Sequence, residues 1–320
     1  MSEQGAGSPA AAGRRPGTVA FVGLGNMGFP MVTRLVDAGF TVNGFDVSPD
    51  ALARLEGIGA KGHASAAEAA AGADLVILML PNSAIVSSVV ADLTAAKAVT
   101  PASVIVDMSS SEPRATRELA ESLAGSGLRL VDAPVSGGVK GAVNGTLTIM
   151  VGGEDAAVDE AWPALAALGK PLRCGPVGSG HAIKALNNLL SATHLWATSE
   201  AMEAGAAFGL DPAVMLEVFN GSSGRSGSTE NKWPNFVLPG TYNSGFALGL
   251  MLKDVRIALG LAESTGTRTT LSELATQLWA EAAEHLPAGA DHTEVARWVA
   301  ESGPGDAGAH AAPEPKNGAS

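Results

Sequence analysis

The sequence predicts an α/β fold. An N-terminal parallel sheet of the Rossmann type, covered by helices on both faces, precedes an all-helical C-terminal domain, and one long helix joins the two. Three observations carry this. Apolar runs of strand length alternate with helix-length stretches up to about residue 176, the pattern of a buried parallel sheet with crossover helices. The chain is then broken at Gly175-Pro176-Val177-Gly178-Ser179-Gly180, and residues 181–208 follow with no proline and one glycine, Gly205. Beyond that stretch everything reads as helical.

Taken in order, the run at 18–22 is the first strand and 26–38 the helix behind it. A second strand at 41–45 leads to helices near 49–56 and 65–72, with an extended piece at 60–63 between them. Buried strands are expected at 74–80, stopped by Pro81, then at 103–107, 128–132 and 146–151, with a short one at 171–174. All are read as one parallel sheet. Ligands of such sheets bind beyond the carboxyl ends of the strands, where Gly23, Asp46, Pro81-Asn82, Ser109-Ser110 and Ser136-Gly137-Gly138 fall. A helix over 181–208 is about 40 Å long at 1.5 Å per residue, enough to bridge two domains. Further helices are expected at 212–220, 246–265 and 269–285, and a short acidic and aromatic segment at 291–300 closes the ordered chain.

The first strand runs directly into Gly23-Leu24-Gly25-Asn26-Met27-Gly28, a G-x-G-x-x-G between a strand and a helix. Gly23 permits the tight turn, Gly25 lets the backbone approach a pyrophosphate, and Gly28 lets the helix pack closely on the strand. The amides at the helix start add the positive end of the helix dipole. With 40 glycines in 320 residues the motif alone is easily met by chance; its setting makes it informative. Asp46 ends the second strand, 23 positions after Gly23, where a carboxylate accepts from an adenosine ribose. No arginine follows it closely, which favours NAD and leaves NADP use open. The expected organisation is a disordered leader at 1–16, an NAD-binding domain at 17–177, a helical substrate and oligomerisation domain at 178–301, and a disordered tail at 302–320.

Composition narrows the function. The net charge of −12 argues against nucleic acid, and no apolar run is long enough to span a membrane. A single cysteine, Cys174, allows no internal disulfide and fits a reducing, cytoplasmic compartment; it reads as a buried apolar residue. The histidines, among them His181 and His194 on the long helix, His292 and His310, show no metal-ligand spacing. His181 and His194 read as ordinary interface residues. No G-x-S-x-G elbow and no P-loop is present.

Lys184 is the candidate for the chemistry. It lies one turn into the long helix, and Asn188, four residues on, projects from the same face. Oxidising an alcohol beside a dinucleotide removes a hydride from carbon and a proton from oxygen, and that proton needs an acceptor. A free lysine titrates near ~10.4, and burial brings such an amine toward neutral pH. On an arbitrary helix these would be surface residues; the neighbouring motifs change the weight. Lys232, beside Trp233 and Pro234 in a Gly- and Ser-rich loop at 220–240, is a candidate for substrate recognition. A wide apolar face on the long helix (Ile183, Leu186, Leu189, Leu190, Leu195 and Trp196) suggests a homo-oligomer.

Four segments, in order, resemble the β-hydroxyacid dehydrogenase family. They are Val22-Gly23-Leu24-Gly25-Asn26-Met27-Gly28, Val131-Asp132-Ala133-Pro134-Val135-Ser136-Gly137-Gly138, Gly178-Ser179-Gly180-His181-Ala182-Ile183-Lys184-Ala185-Leu186-Asn187-Asn188, and Phe246 with Lys253-Asp254. The resemblance implies that Lys184 is the general acid/base and that Asn188 orients the substrate. It implies that Ser136, Gly137 and Gly138 hold a substrate carboxylate, as a small anion cradle, and that Phe246 and Asp254 line the cleft. Leu80, Pro81, Ser110 and Lys253 would join residues 23–28 and Asp46 around the cofactor. Ser110 stands where the family usually has threonine, and Ser111 where isoleucine is commoner. The implied reaction is NAD-dependent oxidation of a small 3-hydroxy acid of the 3-hydroxyisobutyrate type to its semialdehyde. Its reverse, as in tartronate or succinate semialdehyde reduction, runs through the same site. An oxidative decarboxylase resembling 6-phosphogluconate dehydrogenase needs a larger helical domain, and a non-catalytic scaffold would not need Lys184.

Overall fold

The computed structural model describes residues 17–302. The leader expected at 1–16, the expected tail beyond Ser302, and His310 with it, lie outside the described residues. The chain divides into two compact units between Asn187 and Asn188.

The first unit is built on a nine-stranded sheet: β1 (Thr18–Val22), β2 (Thr41–Phe45), β3 (Lys61–Gly62), β4 (Leu75–Leu78), β5 (Val104–Asp107), β6 (Arg129–Asp132), β7 (Val135–Ser136), β8 (Leu147–Gly152) and β9 (Gly169–Gly175). The order is β3-β2-β1-β4-β5-β6-β8-β7, with β9 on β8, so the first six strands follow the doubly wound dinucleotide-binding order. The register pairs Val22 with Phe45 and Leu78, Leu78 with Asp107, and Asp107 with Asp132. Five parallel strands therefore end in line, and Gly23, Asp46, Met79, Met108 and Ala133 start the loops along one edge. Alternation along β1 sends Val19 and Phe21 into one core and Ala20 and Val22 into the other, which is why its sequence is apolar throughout.

The sheet is not wholly parallel, contrary to the sequence expectation. β8 runs antiparallel to β6 and β7, and β9 parallel to β8. The helix between β7 and β8, Gly138–Asn144, has 7 residues, too short a connection for the crossover that parallel pairing needs. Cys174 is half-buried on β9 rather than in the core; burial pushes its thiol pKa up.

The long helix spans Ser179–Phe208, 30 residues. Its C-terminal part packs in the second unit with helices Pro212–Asn220, Leu248–Ser264, Thr270–His285 and Val295–Glu301. Trp196 sits at the centre of that core, its ring centroid 6.2 Å from Trp279 and 5.6 Å from Trp298. At Gly205 a Cβ would stand 2.2 Å from Met215 Cε, so this one glycine admits the next helix. The apolar face read from the sequence is split: Leu195 and Trp196 are core, whereas Ile183, Leu186 and Leu190 are exposed. Residues expected to form a loop at 220–240 contain a π-helix, Ser228–Val237. It continues into bonds of five-residue spacing, with Leu238 N donating to Trp233 O at 2.9 Å and Thr241 N to Phe236 O at 3.1 Å.

Close packing at the first loop is testable. A Cβ at Gly28 would stand 1.9 Å from the Gly23 carbonyl oxygen, whereas at Gly25 it meets nothing within 4 Å. Gly28→Ala is expected to destabilise the first unit by about 1–3 kcal/mol, the usual cost of overpacking. Gly25→Ala should leave the thermal midpoint unchanged, with unfolding followed by circular dichroism.

Candidate active site

The G-x-G-x-x-G loop is shaped by contacts that exclude side chains. Gly23 has φ +100°, donates its N–H to Phe45 O at 2.9 Å, and a Cβ there would lie 2.2 Å from Met79 O. Gly25 and Asn26 are exposed beside a cavity of about 470 Å³ whose walls include Phe29, Arg34 and Arg54. Helix Gly28–Asp37 begins just after Met27, so the loop amides precede its N-terminus, where backbone donors lack partners within the helix. Leu24 turns its side chain into the core and gives only its amide to the site, donating to Asp46 Oδ2 at 2.6 Å; Ser48 N donates to Asp46 Oδ1 at 2.8 Å. Two donors leave acceptor capacity on that carboxylate. Open space over Gly25, a helix N-terminus and a held carboxylate fit the pyrophosphate and ribose of a dinucleotide. Further along the same edge, Leu80 N donates to Ser109 Oγ at 2.9 Å, with Pro81 exposed and Ser110 half-buried beside them.

Ser136 ends β7, and Gly137 and Gly138 follow with φ +128° and +60°. Successive left-handed glycines turn backbone N–H groups toward one side, a concavity suited to a carboxylate.

The start of the long helix is fastened by a buried polar network that sequence reasoning missed. Asp132, at the end of β6, accepts from Gly178 N at 2.6 Å and His181 N at 2.9 Å. Burial raises the Asp132 pKa, opposed by the charge of His181 and by these amides. Gly180 lies so close that a Cβ would stand 2.1 Å from Met150 O. The His181 ring bonds Ser109 O through Nε2 at 3.0 Å and Thr116 Oγ1 through Nδ1 at 2.8 Å. Because a carbonyl only accepts, Nε2 carries a proton, and the Thr116 hydroxyl also donates to Glu112 O at 3.1 Å. Asp107 completes the set, accepting from Ser109 N at 2.9 Å and Ser111 Oγ at 2.7 Å. Ser111, where the family more often has isoleucine, thus serves this network. His181 is therefore not an ordinary interface residue: it ties the helix to the ends of β5 and β6, while His194 is exposed. Two aspartates closing adjacent apolar strands, Asp107 and Asp132, were the signal available in the sequence. Lys184, three residues beyond His181, is 8% exposed.

In the second unit Asn188 is buried and donates from Nδ2 to Asp254 Oδ2 at 2.6 Å. Lys253 Nζ stands 3.7 Å from Asp254 Oδ1. Phe246 is half-buried, its carbonyl accepting from His292 N at 2.8 Å and its ring meeting the His292 ring edge-on at 5.6 Å. Burial lowers the His292 pKa, despite Asp291 beside it. Lys232, on the π-helix, donates from Nζ to Ser191 Oγ at 2.6 Å.

A doubly wound sheet with this loop at its switch point, followed by a helical unit, defines a nicotinamide-dependent oxidoreductase. Residues 18–178 match the NAD binding domain of 6-phosphogluconate dehydrogenase, and residues 178–299 match the NAD-binding domain of NADP-dependent 3-hydroxyisobutyrate dehydrogenase. The chain is 39% identical to 2-(hydroxymethyl)glutarate dehydrogenase of Eubacterium barkeri, over 82% of this chain and 87% of that one. It is 40% identical to 3-hydroxyisobutyrate dehydrogenase of Pseudomonas aeruginosa, over 86% and 94%. The structure of Mycobacterium tuberculosis 3-hydroxyisobutyrate dehydrogenase with L-serine superposes with a TM-score of 0.83 at 34% identity, covering 89% of this chain and 99% of that one. The chain belongs to the β-hydroxyacid dehydrogenase family. It is an NAD(P)-dependent enzyme acting on the CH–OH group of a hydroxyacid. No helix among the described residues is long and apolar enough to cross a membrane.

Replacing Asp132 with leucine strips two buried amides of their acceptor, at about 1–3 kcal/mol each. Asp132→Leu is expected to lower unfolding stability by about 2–6 kcal/mol and to speed hydrogen exchange at Gly178 and His181. Unchanged exchange at those two amides would show that the carboxylate does not hold the helix start.

Proposed function

We propose that this enzyme oxidises an acid of the form HOCH2–CH(R)–COO⁻ to its semialdehyde, and runs the reverse reduction, with NAD preferred to NADP. The observation that carries the reading is a buried lysine, Lys184, one turn beyond a helix start fixed by Asp132 and His181. The small acids named with the relatives support it. 2-(Hydroxymethyl)glutarate, 3-hydroxyisobutyrate and L-serine share HOCH2–CH(R)–COO⁻ and differ only in R, which is a propionate arm, a methyl or an ammonium.

Lys184, as the free amine, takes the hydroxyl proton as the C–H bond breaks, and returns it to the carbonyl oxygen in the reverse direction. Bound NAD(P) supplies the hydride acceptor. Asn188, its amide nitrogen committed to Asp254, orients the reacting oxygen. Ser136 and the amides of Gly137 and Gly138 hold the carboxylate common to all three acids. Residues 23–28, Leu80, Pro81 and Ser110 hold the dinucleotide with Lys253, and Asp46 takes the ribose hydroxyls and repels a 2′-phosphate. Phe246 shields the reacting carbon from water.

The test follows NADH formation by absorbance with 3-hydroxyisobutyrate, 2-(hydroxymethyl)glutarate and L-serine, using NAD and NADP in parallel. At least one acid should be turned over, faster with NAD. Lys184→Ala should lower kcat by about 10²–10⁴-fold, the range for a general acid/base, while NADH still binds. Full activity in Lys184→Ala would remove the assigned role.

A further inference from the structure

Resting on the reading above, the geometry points to Lys232 as a specificity-determining residue, and we infer that its ammonium, with the Ser191 hydroxyl, binds a carboxylate carried on R. The enzyme would then prefer HOCH2–CH(R)–COO⁻ acids in which R itself ends in an anion, a dicarboxylate class.

The argument starts from the long helix. Asn188 and Ser191 are three residues apart, on one face and about 4.5 Å apart along the axis at 1.5 Å per residue. Lys232 Nζ lies 2.6 Å from Ser191 Oγ, so a cation stands one helical turn from the amide assigned to the reacting oxygen. That spacing suits the length of a short side arm better than the reacting centre itself.

The lysine is also placed where a charge lacks compensation. Its hydrogen-bond partner is a neutral hydroxyl, and among the described residues no carboxylate lies within ion-pair distance of it. Asp291 favours its charge, and the charged form of His292 is disfavoured by it. Asp291 is already engaged, accepting from Ser244 Oγ, Gly245 N, Phe246 N, Thr293 N and Thr293 Oγ1. Burial, only partly opposed by Asp291, lowers the Lys232 pKa to about 8, which keeps the ammonium form dominant at neutral pH. A largely desolvated cation with two further N–H donors gains most from an anionic occupant. A methyl R makes no use of those donors, and an ammonium R is repelled.

The backbone adds an independent reason. Lys232 is carried on a π-helix that includes Pro234, a rare segment type that is frequently found at functional sites.

The test compares kcat/KM for 2-(hydroxymethyl)glutarate and 3-hydroxyisobutyrate in the wild type, Lys232→Met and Lys232→Arg. The wild type is expected to favour the diacid at least 10-fold. Lys232→Met should reduce the diacid-to-monoacid ratio at least 30-fold, chiefly through KM for the diacid, and Lys232→Arg should restore most of it. Replacing the distal carboxylate of the diacid by its amide should reproduce the loss in the wild type. A ratio unchanged within 3-fold in Lys232→Met, with both acids turned over, overturns the role of Lys232 and leaves the dehydrogenase reading intact. Turnover of neither acid, nor of L-serine, overturns the dehydrogenase reading and this inference with it.

Discussion

The buried carboxylate of Asp132 is the constraint on which the site depends. It accepts the amides of Gly178 and His181 and so closes two of the backbone donors that a helix start leaves unpaired. The first turn is thereby set against the ends of β6 and β8, so tightly that position 180 has no room for a Cβ. His181 adds a second fastening, to the carbonyl of Ser109 and the hydroxyl of Thr116. Ser109 in turn receives Leu80 N, so the strand ends assigned to the cofactor and the helix that carries Lys184 share one hydrogen-bonded set. The proton-transfer role proposed for Lys184 needs close positioning, and a helix start fastened in this way would supply it without a loop.

On the proposed reading, the second unit divides the work between fixed and variable parts. Asn188 and Asp254 are buried and bonded to each other, which suits groups that meet the portion of the substrate common to the family. Ser191 lies one turn further along the long helix, and Lys232 reaches it from the segment whose hydrogen bonding departs from the α pattern. A fold can keep one reaction while changing R by altering only that second pair.

Much of this was legible in the sequence. Gly23 and Gly28 read correctly because their roles are local: each excludes a side chain that the strand–turn–helix geometry cannot hold. The long helix was legible to within two residues of its start, since composition alone distinguishes it. Asp107, Asp132, Thr116 and His181 were not legible as a set, because they come from segments up to 74 residues apart and converge only when the sheet register aligns the strand ends. The reversed direction of β8 was hidden by β7, two residues long and without periodicity. The π-helix was hidden by composition: Ser228, Thr229, Asn231 and Pro234 are loop formers, and only packing of Trp233 and Val237 into the core overrides that preference.

The central claim, that Lys184 itself moves the proton, is tested most directly by supplying the missing amine from solution. Lys184→Ala is assayed with NAD and the best substrate while methylamine is added at constant pH and ionic strength. Lost turnover should return in proportion to the free-base amine concentration, and the wild type should not respond. No recovery in a variant that still binds NADH and keeps its thermal midpoint would contradict a proton-transfer role for that side chain.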